Sequence, residues 1–193
     1  MGILAGVVIP FFSFRVQLLG VEPPIWRTFL LREAASFQEL HVAIQKACGW
    51  GDRHLFSFRE TAKGPVIAGI PHYQSKESIP DATRTKVRSY YSKPGQSCVY
   101  QYDFGDCWEH ELTLVEMASR SDHDRFIRKL TGGARAFPPE DCGGTWGYEM
   151  CVAIRNGNAV ELSPAEIKAR EKWLGDWQPE HFKYDVARAA FDV

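Results

Sequence analysis

Asp103, Asp106, His110, Glu140 and Asp141 are the residues whose types and spacing could do chemistry in this 193-residue chain. Carboxylate oxygens and an imidazole nitrogen are the ligands that Mg²⁺, Mn²⁺ and Zn²⁺ take, so the group can hold a divalent metal and serve a metal-assisted enzyme. His41 and His54 are further imidazoles outside the group. The same side chains have an equally physical scaffold use. Asp103 can accept from the Trp108 indole, Asp106 can hold a turn, and Asp141 can cap a Gly-rich helix start. Whether the protein is an enzyme is open. No Gly-x-Ser-x-Gly elbow and no His-Glu-x-x-His pair occurs, so the common hydrolase templates have no support. Asp103-Phe104-Gly105 spells the kinase magnesium motif but lacks the Gly-rich loop, the HRD segment and the lysine strand that would accompany it. Gly143-Gly144-Thr145-Trp146-Gly147 could offer amides to a phosphate. Glu140 and Asp141 would repel that anion.

The element that must position this group is Ser97 to Glu116, SCVYQYDFGDCWEHELTLVE. Strand-forming residues flank Phe104-Gly105-Asp106-Cys107, which reads as a hairpin whose two-residue turn puts Gly105 at the position requiring positive φ. In that register Asp103 faces Trp108 and Gln101 faces His110. Asp103 and His110 then share a face with Val99, Leu112 and Leu114, and a loop with an odd number of residues breaks the arrangement.

Around the hairpin, Phe12, Phe14, Val16 and Leu18 alternate with polar neighbours as a strand does, and Ile25 to Leu31 resumes the pattern after Pro23-Pro24. Ser36-Phe37-Gln38-Glu39 is a capping box that opens a helix with a Phe37, Leu40, Ile44 stripe and a Gly49 stop. His54 to Glu60 reads as a third strand, and Val66 to Ile70 as a short one. Asp122 to Lys129 fits either a strand or a helical turn. Tyr148 to Arg155 reads as a short helix, and Ser163-Pro164-Ala165-Glu166 launches another. A last helix follows Pro179, with Phe182, Val186 and Ala189 as its buried stripe. The expected organisation is one domain over residues 1–193, comprising an apolar leader 1–10, β-β-α-β over 11–60, and a long connection 61–96. A hairpin segment 97–131, a Gly/Pro-rich loop 132–147 and helices over 148–193 complete it. The fold class is α+β: a roll-like mixed or antiparallel sheet, a packed N-terminal helix and a helical C-terminal part.

A formal charge of −1, 45% hydrophobic and 24% charged residues describe an ordinary globular chain without the basic field of a dedicated nucleic-acid binder. Local basic residues remain: Lys76, Arg84, Lys86, Arg88, Arg125, Arg128 and Lys129 are the candidate nucleic-acid contacts. The apolar start lacks the basic flank of a signal peptide and is too short to span a bilayer. Gly6 stands where a myristoylation site needs Ser or Thr. Five cysteines without a Cys-x-x-Cys pair read as reduced thiols, in keeping with a cytoplasmic protein and no membrane. No cofactor is evident beyond the possible divalent metal, and the partner is unknown.

Several motifs together carry a resemblance. They are Ile25-Trp26-Arg27, Leu40-His41, Ile44-Gln45, Gly49-Trp50, His54-Leu55, Tyr102-Asp103-Phe104-Gly105-Asp106 with Trp108 and His110, and Pro138-Pro139-Glu140-Asp141 with Gly143-Gly144 and Gly147-Tyr148. Trp173-Leu174-Gly175, Pro179 and Phe182 close the set. From about Phe14 onward the chain resembles the plasmid open-reading-frame-three-like proteins, also labelled insertion-element passenger proteins. The resemblance implies an α+β roll-like fold in a soluble protein from mobile-element neighbourhoods, and assigns no reaction. The function expected of the chain is that of a binding or accessory module, with a metal-assisted enzyme and a nucleic-acid-binding accessory protein as the alternatives. Phe137 stands where that family often has Cys, which removes a thiol role at this position. The leader Met1 to Pro10 lies outside the resemblance.

Overall fold

A computed structural model describes residues 8–71, 78–121 and 126–193. Among these residues the strands are β1 (Val8–Leu18), β2 (Trp26–Arg32), β3 (Phe56–Arg59), β4 (Val66–Gly69), β5 (Ser97–Tyr102), β6 (Trp108–Ser121) and β7 (Arg128–Ala134). The helices are α1 (Phe37–Cys48), α2 (Gly144–Arg155), α3 (Pro164–Leu174) and α4 (Tyr184–Phe191). All seven strands join one sheet in the order β4-β3-β5-β6-β1-β2-β7, and every strand pair is antiparallel. The mixed α+β class is therefore as expected.

Alternation along β1 works on both faces. Phe12, Phe14, Val16 and Leu18 enter the main core, while Phe11 packs with Leu30 and Ala118 in a smaller cluster on the other side. The strand begins at Val8, so the last part of the expected leader is sheet, and residues 1–7 lie outside the described chain.

Helix α1 forms where its capping grammar places it. The Glu39 amide donates to the Ser36 hydroxyl at 3.2 Å, the Ser36 amide donates back to Glu39 at 2.6 Å, and Gly49 ends the helix at φ 79°. The predicted stripe of Phe37, Leu40 and Ile44 is buried, and Phe37 packs its ring 4.9 Å from Phe58 of β3. Because Leu40 is fully enclosed, Leu40→Ala is expected to lower stability by about 2 to 5 kcal/mol through lost transfer energy and a residual cavity. An unchanged urea midpoint would show that α1 does not pack on the sheet in this way.

Three sequence expectations are corrected. Gly132 and Gly133, assigned to the start of an irregular loop, belong to edge strand β7. Their lack of a side chain answers crowding rather than turning: a Cβ on Gly133 would lie 2.6 Å from Arg27 Cδ and from Phe182 Cε1. Helix α2 begins at Gly144, inside the same expected loop. The last helix starts at Tyr184 and buries Phe191, with Tyr184 and Ala187 half-buried, whereas Val186 and Ala189 face outward. The segment left open at 122–129 ends in β7, and residues 122–125 lie outside the described chain.

Candidate functional site

The hairpin closes through a longer loop than the sequence suggests. Tyr102 pairs with Trp108 and Tyr100 with His110, leaving Asp103 to Cys107 as a five-residue connection. Asp103 and Cys107, each at φ 53°, take the left-handed positions expected of Gly105. The Cys107 amide donates to the Asp103 carbonyl at 2.7 Å, and the Gly105 amide to the Asp103 side chain at 2.9 Å, so the aspartate organises the loop from within. The odd count shifts the register by one. Trp108, His110, Leu112 and Leu114 still share a face, but their companions are Cys98, Tyr100 and Tyr102, while Val99 and Gln101 turn outward with Glu109 and Glu111. The expected shared face of Asp103 and His110 is overturned, since Asp103 has left the strand.

His110 is consequently a core residue. It is fully buried, with Nδ1 3.3 Å from the Tyr100 carbonyl, and its ring lies against Trp50, Tyr100 and Phe137. Among the described residues its Nε2 has no hydrogen-bond partner. Burial pushes its pKa down to about 4, so the ring is neutral at physiological pH.

Three loops meet beside the hairpin tip: residues 49–55 after α1, the tip itself, and Pro138-Pro139-Glu140-Asp141. Trp50 anchors the first to the third by donating its indole N–H to the Pro138 carbonyl at 2.9 Å. Glu140 reinforces the same junction, accepting from the Tyr102 hydroxyl at 2.6 Å and from the Gly51 amide at 2.8 Å. The Tyr102 oxygen also accepts from the Arg53 amide at 2.9 Å. Burial, and then the Glu140 carboxylate, raise the Tyr102 pKa and keep the phenol protonated. Asp106 ties the tip to the Gly-rich segment by accepting from the Gly143 amide at 3.0 Å. Glu140 and Asp106 are thus occupied in holding loops together.

What the loops bring together is His54, Asp103 and Asp141. His54 Nε2 lies 2.6 Å from Asp141 Oδ1 and 3.6 Å from Asp103 Oδ2, and one ligand atom from each residue falls within 4.8 Å of the others. Asp103 and Asp141 both hold left-handed backbone, at φ 53° and 63°. The cluster is reachable: the side chains are 33%, 15% and 47% exposed for His54, Asp103 and Asp141. The hydrogen bond to Asp141 is the main cause of a raised His54 pKa, with the charges of Asp103, Asp141 and Glu140 adding to it. Two of the five proposed ligands therefore meet, and the imidazole that joins them is His54, an outlier in the sequence. Its signal was its place just beyond Gly49-Trp50-Gly51, where a helix exit must turn back across the sheet.

His41 has a separate task. Gln45 Nε2 donates to the Tyr100 hydroxyl at 3.0 Å, and that hydroxyl lies 2.8 Å from His41 Nδ1. The network assigns the His41 proton to Nε2, which donates to Asp52 Oδ1 at 2.7 Å. The ring stacks on Phe56 at 3.6 Å between centroids. Desolvation lowers its pKa, opposed by Asp52.

The candidate nucleic-acid residues fall on two segments. Arg84, Lys86 and Arg88 are exposed before and within a 3-10 turn at Val87–Ser89, with Arg84 3.9 Å from Asp81. Arg128 and Lys129 lie on β7. Arg128 donates to the Phe191 carbonyl at 2.8 Å, and Lys129 sits over the Phe126 ring. Lys76 and Arg125 lie outside the described residues. All five cysteines are free, four of them buried. Among the described residues no helix is long and apolar enough to cross a membrane.

The fold is shared with a crystal structure from Methanosarcina mazei Go1 described as a protein of unknown function, MM3350, at a TM-score of 0.76 and 28% identity, covering 92% of this chain and 97% of that one. An uncharacterised protein, y4hQ, from Sinorhizobium fredii is 32% identical over 182 residues, 92% of this chain and 84% of that protein. The model of the plasmid pRiA4b ORF-3-like family matches residues 10–186, a span that takes in the hairpin tip, the 49–55 loop and the Pro-Pro-Glu-Asp loop. The chain belongs to the plasmid pRiA4b ORF-3-like protein family.

Proposed function

We propose that the protein is a binding module that holds one divalent cation on His54, Asp103 and Asp141. The observation that carries this reading is the convergence, within 4.8 Å, of one nitrogen and two carboxylate oxygens delivered by three loops distant in sequence. An imidazole with two carboxylates suits Mn²⁺ or Zn²⁺ better than Mg²⁺, which prefers oxygen and retained water. Three protein ligands leave coordination positions open for water or a small oxygen ligand. That openness is also what a metal-assisted reaction would use.

Metal and proton compete for His54. The imidazole ligates only when neutral, and its pKa is raised by Asp141, so affinity should climb with pH until His54 is fully deprotonated and then level off. We expect calorimetric titration with Mn²⁺ or Zn²⁺ to give one site per chain. His54→Ala or Asp103→Asn should weaken it by more than the roughly 10- to 100-fold that loss of an outer-shell partner costs. Stoichiometric binding that survives both substitutions, or its absence in the native protein above pH 7, would exclude the reading.

A further inference from the structure

A concavity whose lining includes none of His54, Asp103 and Asp141 lies between the end of α1, the strap at Ala136-Phe137 and the C-terminal segment that leads into α4. It encloses about 310 Å³, at the lower end of small-molecule sites. Arg27 of β2 forms part of its wall although only 3% of that residue is exposed. Its guanidinium lies 3.6 Å from the Phe182 ring centroid and 4.9 Å from that of Phe137. Nε donates to the Ala47 carbonyl at 3.1 Å, and Nη1 to the carbonyls of Trp26 and Ala134 at 2.8 and 3.0 Å.

The guanidinium is thus held against two rings and along two of its three nitrogens. Nη2 donates to no described group, and no carboxylate among the described residues pairs with Arg27. A buried cation in that condition has given up water without gaining an anion, which is costly unless something else supplies one. Cys48, its buried neighbour, does not, because burial raises its pKa and keeps the thiol neutral. The rim is positive as well: Lys46 and Lys183 join Arg27 against one carboxylate, Asp176, which is already held by Lys183 at 2.5 Å. Phe137, Phe182, Val186, Ala187 and Ala190 supply apolar wall to the same cavity.

We propose that this cavity binds a small amphipathic monocarboxylate, its carboxylate on the free edge of Arg27 and its apolar body against Phe182 and the α4 alanines. A planar guanidinium with a pre-set orientation is the side chain best matched to a carboxylate. Octanoate, a carboxylate on a short apolar chain, is a probe of the class and size that a cavity of about 310 Å³ can take. The proposal is independent of the cation site.

Octanoate and octan-1-ol, which share a chain length and differ in charge, are the probes. In calorimetric titrations of the full chain, octanoate should bind at least about tenfold more tightly than the alcohol. Arg27→Met should bring octanoate down to the level of the alcohol while leaving the alcohol unchanged. Arg27 also ties down three backbone carbonyls, so Ala190→Trp, at an exposed helical position on the cavity wall, provides a second variant; it should abolish octanoate binding in a folded protein. Asp103→Asn should leave the octanoate titration unaltered, which separates this site from the cation site. Equal binding of the two probes, no octanoate binding up to about 10 mM, or full octanoate affinity in Ala190→Trp would each overturn the proposal.

Discussion

Trp50→Ala is expected to lower stability by about 3 to 5 kcal/mol and to abolish cation binding together with it. The indole is 5% exposed and stands at the crossing of every element that builds the site. It stacks on Tyr102 at 5.3 Å and 20°, and touches the rings of Trp108, His110 and Phe137 at 5.7, 5.4 and 5.8 Å between centroids. Its N–H holds the Pro138 carbonyl, three residues before Asp141. Removing the ring leaves a cavity among aromatic groups that cannot close on it, and releases both the 49–55 loop and the loop carrying Asp141. Trp50→Phe separates the two contributions. It retains much of the packing but strands the carbonyl, so it should cost about 1 to 3 kcal/mol. Unfolding in urea with a parallel Mn²⁺ titration gives both readings. A Trp50→Ala protein that keeps its urea midpoint and its metal would show that the three loops are held by something else.

The second large effect is an acid sensitivity centred on His110. Its pKa is near 6.5 when the chain is unfolded and about 4 in the folded core, with desolvation the main cause. Above pH 6.5 the ring is neutral in both states, and the full stability is present. Between 6.5 and 4 the unfolded chain takes up a proton that the folded chain refuses, so stability falls as pH falls. Below about 4 both states are protonated and the loss is complete. A depression of roughly 2.5 units corresponds to about 3 kcal/mol. His41, also lowered by burial, acts in the same direction. His110→Leu removes the titrating group, and with it a buried Nε2 that has no partner among the described residues. That variant should be close to the parent at pH 7, within about 1.5 kcal/mol for a change of similar volume, and should lose about 3 kcal/mol less than the parent on going to pH 4. Equal acid-induced losses in the two proteins would place the sensitivity on other groups.

Much of this protein was determined locally and could be read from the sequence by itself. Helix α1 needed only Ser36, Glu39 and Gly49, because a capping box and a left-handed stop satisfy the helix's own orphan groups. Helix α3 needed only Ser163, Pro164 and Glu166, for the same reason. Strand β1 showed its buried face because one side of a sheet must be apolar wherever it meets a core. Aspartates 103 and 141 stood out as chemically capable residues in loops. Their neighbours did not, since ligand geometry depends on contacts between segments about 40 to 90 positions apart.

Tertiary structure decided the hairpin register, and through it the identity of the site. A two-residue turn on Gly105 and a five-residue loop closed by Asp103 are both compatible with the local residues. Tyr100 and Tyr102 tip the balance, because facing inward buries both rings completely while their hydroxyls still find partners on His41, Gln45 and Glu140. Once the tyrosines face inward, cross-strand pairing places His110 with them in the core, and the loop carries Asp103 out to His54. Edge strand β7 was hidden for a related reason: Gly132 and Gly133 have the composition of a turn, and only the approach of Thr28 to the first and of Arg27 and Phe182 to the second calls for bare backbone there. Propensity and periodicity act over a few residues, and so they located the elements. The packing of aromatic rings and the satisfaction of buried polar atoms act across the whole chain, and they determined which residues meet.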